Sequence, residues 1–122
     1  WAKTGELQGL LAGLLEAGFD VWLTADHGNA EGTGVGNPKL GLSAEAAGQR
    51  VFRFGTAVQR DKLVSDYADS TAWPSIGLPP DAFYALAPAG GAFAAPGVRI
   101  VAHGGASVEE VIVPFVRVRS AS

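Results

Sequence analysis

The chain contains no cysteine, and that absence narrows its chemistry at once. Disulfides and thiolate-held metals are excluded, so any metal must be bound by oxygen or by imidazole nitrogen. No apolar run approaches the roughly 18 to 20 residues needed to cross a bilayer. No segment has the basic start, apolar middle and small-residue cleavage site of a signal peptide, so a cytoplasmic protein without a membrane partner is expected. The net charge is only -3, with neither a basic stripe for nucleic acid nor a long acidic tail. Methionine is also absent, and the first residue is Trp1. The expectation is a piece of a longer protein.

What is present argues for folding. The 122 residues can form one domain around one core. Hydrophobic residues make up 48% and charged residues 17%, which opposes disorder. Leu7, Leu10, Leu11, Leu14 and Leu15 fall on one helical stripe, predicting a helix over 5–17, with Thr4 as N-cap and Gly18 as stop. Lys3 and Glu6 read as solvated charges at its start. The apolar run 19–25 predicts a strand buried on both faces, as in a parallel sheet. Helix, glycine turn and buried strand together form half of an α/β unit.

Residues 28–48 hold six glycines and read as a long loop with a helical turn near 43–47. A strand is expected over 50–54 and a helix over 56–67. Phe83 to Leu86 and residues 99–102 suggest short strands, and 88–97 suggests loop. Ser107 and Glu110 have capping-box spacing. The last strand is expected over 111–118, placed at an edge or bulge by Pro114. Trp22 and Trp73 read as core.

The chemistry-bearing residues are few. Both histidines, His27 and His103, follow a short apolar segment and precede glycine. Ligands gather beyond the carboxyl ends of strands in open α/β sheets, so the two can face one site. Asp26 adds a hard oxygen donor beside His27, a mixture that suits Zn²⁺ or Mn²⁺ better than Ca²⁺. Read locally, a capping Asp and surface histidines on glycine turns remain open. There is no Gly-x-Ser-x-Gly elbow. Gly32-x-Gly34-x-Gly36 lacks the spacing of a phosphate loop, and its glycines are ascribed to composition. Glu109 and Glu110 read as helix-start charges, and Lys39, Arg50 and Arg53 as exposed basic side chains.

The string Thr24-Ala25-Asp26-His27-Gly28-Asn29-Ala30-Glu31 resembles the Asp-His-Gly strand end of the alkaline phosphatase superfamily. The segment His103-Gly104-Gly105-Ala106-Ser107-Val108-Glu109-Glu110, with the Val/Ile stretch after it, resembles the closing motif of PglZ domains. These are phosphatase-like proteins of bacterial BREX and phage-growth-limitation defence systems. Cofactor-independent phosphoglycerate mutases share the first string and lack the second. Leu78-Pro79 and 83–88 are also PglZ-like, more weakly.

The resemblance implies the C-terminal part of an alkaline-phosphatase-like α/β sandwich with a mainly parallel sheet, spanning 1–122. It implies two divalent metals, Zn or Mn, with Asp26 and His27 on one ion and His103 on the other. The family's nucleophile and remaining ligands have no counterpart here, so no catalytic residue is assigned and the chain alone is expected to be silent. It implies a phosphatase or phosphodiesterase acting in antiphage defence on a phosphoester, with nucleic acid and nucleotides among the candidates. Other defence-system proteins are expected as partners. The alternatives are a non-catalytic module of a defence complex and a mutase-like metalloenzyme. The shared-site reading requires His103 to lie within about 12 Å of His27.

Overall fold

A computed structural model describes residues 3–39, 44–47 and 49–120. In chain order the elements are α1 (Glu6–Glu16), β1 (Val21–Thr24), β2 (Ala30–Gly34), β3 (Ala44–Ala47) and β4 (Val51–Phe54). There follow α2 (Ala57–Asp66), β5 (Thr71–Trp73), β6 (Phe83–Leu86), β7 (Gly91–Ala92), β8 (Arg99–Ala102), α3 (Val108–Val111) and β9 (Phe115–Val118). They form two compact units, one of residues 1–26 with 113–122 and one of residues 27–112. No helix among the described residues is long and apolar enough to cross a membrane.

The first unit holds α1, β1 and β9. The helix ends as Gly18 predicts. Gly18 takes a φ of 84°, its N–H donates to the Leu15 carbonyl, and the Phe19 N–H donates to that of Leu14. This is a Schellman closure, and the left-handed conformation it needs is strain-free for glycine. The start differs from expectation: the N-cap is Gly5, with φ 73°, rather than Thr4. β1 pairs antiparallel with β9, Val21 opposite Val118 and Thr24 opposite Phe115. Of β1 only Val21 is buried. Trp22 stacks on Phe115 with ring centroids 4.9 Å apart, and both remain exposed. The doubly buried parallel strand expected over 19–25 is therefore not what forms.

The second unit contains two sheets. One has the order β7-β2-β8, the other β3-β4-β6-β5. Among the paired strands of the described residues β2 with β7 is parallel, and β2–β8, β3–β4, β4–β6 and β5–β6 are antiparallel. The expected mainly parallel sheet is thus corrected to a mixed α/β fold with mostly antiparallel pairing. An apolar run reports that both strand faces avoid water, not which way its neighbour runs. Direction follows the connections, and links as short as that between β3 and β4 leave no length for a parallel crossover.

The core lies between α2 and one face of the four-stranded sheet. Phe52, Phe54, Leu63, Ala85, Ala87 and Phe93 form it, with Val64, Tyr67 and Phe83 against its edge. Alternation along β4 sends Phe52 and Phe54 inward and Val51 and Arg53 to the other face. α2 starts at Thr56, whose side chain accepts the Gln59 N–H at 3.4 Å. Phe93 ties in the second sheet: its ring lies 5.1 Å from Phe52, and its N–H donates to the Gln49 carbonyl at 2.8 Å.

Three loop expectations fail in an informative way. Residues 30–34 are strand, and 44–47 are strand rather than helix; Ser43 lies outside the described residues. The short β7 falls within the expected loop 88–97. The glycines at 32 and 34 are not compositional. A Cβ on Gly34 would sit 1.9 Å from the Ala95 carbonyl oxygen, and one on Gly32 3.0 Å from that of Gly91. β2 lies so close to 91–95 that only glycine fits, which hides it from any hydrophobic pattern. The last strand begins only after Pro114, consistent with that residue's missing N–H.

Leu63 is 2% exposed and Val58 78%. Leu63→Ala is expected to lower unfolding free energy by about 2–5 kcal/mol, as for other buried leucines. Val58→Ala is expected to stay within about 0.5 kcal/mol. Denaturant titration measures both, and equal effects would contradict this core.

Candidate metal centre

The His103 segment is placed by backbone pairing. β8 ends at Ala102, and His103 forms a parallel bridge to Gln49. Gln49 is itself held in the left-handed region, with φ 63°. Such a conformation costs a non-glycine residue about 1–3 kcal/mol and persists only where its surroundings fix it. Here the Gln49 carbonyl is fixed by Phe93 and the bridge to His103 follows. Gly104, with φ 95°, then turns the chain.

The His27 segment is placed by α3. The Gly28 N–H donates to the Glu110 carbonyl at 2.9 Å. A Cβ on Gly28 would lie 1.8 Å from the Glu109 carbonyl oxygen, so no other residue allows this approach. The glycine after His27 is there for contact as well as for turning.

These placements bring the two histidine rings together. Their centroids are 4.1 Å apart and their planes differ by 11°. That is well inside the 12 Å limit set from the sequence. The His27 Nδ1 lies 2.8 Å from the Gly28 carbonyl oxygen. A carbonyl only accepts, so Nδ1 carries the proton and the neutral ring keeps its lone pair on Nε2. Fixing the tautomer by a bond from the other ring nitrogen is how metal-binding histidines are commonly oriented. His27 is exposed and His103 half-buried.

The donor set fits a divalent cation of intermediate hardness. Two imidazoles in parallel planes cannot aim in-plane lone pairs at one ion without tilting. Such rings are compatible with one ion on each, as in two-metal phosphoryl-transfer centres. Asp26 is exposed and is the last residue of the first unit, and His27 is the first of the second. Among the described residues no three His, Cys, Asp or Glu side chains gather as a complete metal site.

Two residues read as surface charges prove central. Arg50 and Glu110 are 4% and 3% exposed. Arg50 Nε donates to Glu110 Oε1 at 2.7 Å, and the Gly105 N–H donates to the same oxygen at 2.8 Å. The Ser107 N–H reaches Glu110 Oε2 at 3.3 Å, the expected capping-box contact. Arg50 also donates to the Gly91 carbonyl, and its own carbonyl accepts the Ala87 N–H at 2.9 Å. A Cβ on Gly105 would fall 2.5 Å from the Glu110 carboxylate and 2.7 Å from Arg50 Nε. The capping-box spacing was the signal available for Glu110; Arg50 had none.

Burial works to raise the Glu110 carboxyl, but the Gly105 N–H, Ser107 and Arg50 outweigh it and hold the group below its ordinary value of 4.5. Glu109, fully exposed, is also lowered, chiefly by a backbone hydrogen bond. A carboxyl lowered on folding contributes stability above its unfolded pKa and loses it as pH falls through the folded one. Acidification below about pH 4.5 is therefore expected to destabilise the protein partly through Glu110. Glu110→Ala is expected to cost about 3–5 kcal/mol at neutral pH by leaving Arg50 buried and unpaired. It should also flatten the acid limb of the stability curve. Unfolding titrations between pH 3 and 7 decide this; an unchanged acid limb contradicts it.

Comparison with known proteins agrees with the two strings. Residues 2–118 match the model of the BREX system PglZ alkaline phosphatase-like domain. No curated protein and no solved structure matched the chain. With nearly its whole length matched, the chain belongs to the PglZ family of BREX-system alkaline phosphatase-like domains.

Proposed function

We propose that this chain supplies metal ligands to a phosphoric-ester hydrolase of the PglZ type, acting on phosphodiesters in BREX-type antiphage defence. The observation that carries the reading is the stacked His27–His103 pair at 4.1 Å, formed by residues far apart in sequence. In this reading Asp26 and His27 hold one divalent ion, Zn or Mn, and His103 holds the other. Bound there, the ions supply positive charge for the entering and leaving oxygens of an in-line displacement.

The chain's own residues do the positioning. The Nδ1–H of His27 stays on the Gly28 carbonyl, which makes Nε2 the ring's donor atom. Gly28 docks on α3, and Gly104, with its positive φ, turns the chain after the second ring. The nucleophile and the other ligands used by the family come from outside these residues. Other proteins of the defence system are its partners, in the cytoplasm.

A second reading has its own support. Because no complete ligand group gathers among the described residues, a non-catalytic module of a defence complex, with a structural metal corner, is the alternative.

Zinc titration of the chain, followed by calorimetry and by the histidine ring resonances, tests the proposal. Zn²⁺ should shift both rings, and His27→Ala or His103→Ala should weaken binding at least about tenfold, or about 1.4 kcal/mol. Hydrolysis of bis(4-nitrophenyl) phosphate by the chain alone should stay at background. Unchanged zinc affinity in both variants contradicts the metal assignment. Robust turnover abolished by Asp26→Ala contradicts the outside origin of the remaining machinery.

A further inference from the structure

The four-stranded sheet has a second face, turned away from α2, and the proposed function does not use it. Register places Arg53 on β4 opposite Tyr84 on β6, and Tyr84 opposite Trp73 on β5. Alternation puts these three on the face opposite Phe52, Phe54 and Ala85. They form a row across three strands, a cation followed by two aromatic rings. Trp73, expected as core, is 39% exposed.

This face is the floor of a cavity of about 380 Å³. Val51, Trp73, Leu78, Tyr84, Leu86 and Val111 line it. Its remaining wall is Gly104, Gly105 and Ala106, the three residues that follow His103. The volume falls in the range of small-molecule sites, and the lining is apolar with aromatic rings, as such sites are. Gly105 is pinned by its N–H to Glu110, so the wall is held in place.

We propose that this cavity is a binding pocket for a planar aromatic ring carried by a phosphoester, the ring lying against Trp73 and Tyr84. The floor argues for a flat ligand. Neighbouring aromatic side chains on a sheet face offer π surfaces to flat rings, and a ring stacked on them gains without needing a particular edge pattern. The wall argues for a phosphate nearby, since it begins at the residue after His103. That part rests on the metal reading above. The ring pocket itself does not.

The test uses the metal-free chain and three probes: adenosine 5′-monophosphate, phenyl phosphate and ribose 5-phosphate. Binding is read from the Trp73 indole and Tyr84 ring resonances. The two ring-bearing probes should shift both residues, and ribose 5-phosphate should not. The tighter of the two shows whether a nucleobase or a simple aryl group is the better occupant. Trp73→Ala should weaken ring binding about tenfold, within the range of one lost stacking contact. Trp73→Phe, which keeps a ring, should retain most of it. Ala106→Phe places a side chain in the pocket from an exposed position and should block it.

No shift with either ring-bearing probe overturns the proposal, as does an equal response to ribose 5-phosphate. The two readings fail separately. Ring binding without zinc binding sinks the metal assignment and leaves the pocket; zinc binding without ring binding does the reverse.

Discussion

Arg50 and Glu110 form an ion pair that is almost wholly withdrawn from water, in a unit whose other buried side chains are mostly apolar. Burying two charges carries a large desolvation penalty, and attraction offsets it only with good geometry and further hydrogen bonds. Both conditions hold. Glu110 accepts N–H groups from Gly105 and Ser107, and Arg50 reaches the Gly91 carbonyl. The pair thus joins the start of β4, the strand β7, the loop after His103 and α3. Through the Glu110 carbonyl it also holds Gly28, next to His27. The 4.1 Å approach of the two rings rests on this network together with the Gln49–His103 bridge.

Conservation of shape around the network explains the glycines. Gly28 meets a carbonyl of α3, and Gly105 meets the ion pair. In neither place is conformational freedom the main requirement; the need is for an absent Cβ. A small unit with two sheets and one core thereby gains a rigid corner on which an exposed and a half-buried imidazole can be held. The same loop that carries His103 also walls the aromatic pocket, so one pinned segment serves both.

How much of this was legible beforehand divides along physical lines. α1, α2, β4, β6 and β8 were readable because each has a local pattern: a leucine stripe, the apolar spacing of Val58, Leu63, Val64 and Tyr67, or a short run of large apolar residues. The candidate site was readable as two histidines, each before a glycine, and the longer strings around them gave the family. β2 was hidden because its buried side is glycine and carries no hydrophobic signal. Arg50 was hidden because a buried arginine and a solvated one look alike until the partner across the fold is known. The strand directions were hidden because apolar periodicity encodes burial and not topology. Trp22 and Trp73 misled for a related reason: large aromatics are usually interior, and here they are exposed at a stack and at a pocket.

The central claim is that His27 and His103 are metal ligands held side by side by the Arg50–Glu110 network. Anomalous diffraction from zinc-loaded crystals tests it most directly. The account predicts zinc density about 2.0–2.1 Å from a ring nitrogen of each histidine, with Nε2 the donor of His27. Zinc density absent from both rings, or found only at other residues, would contradict it.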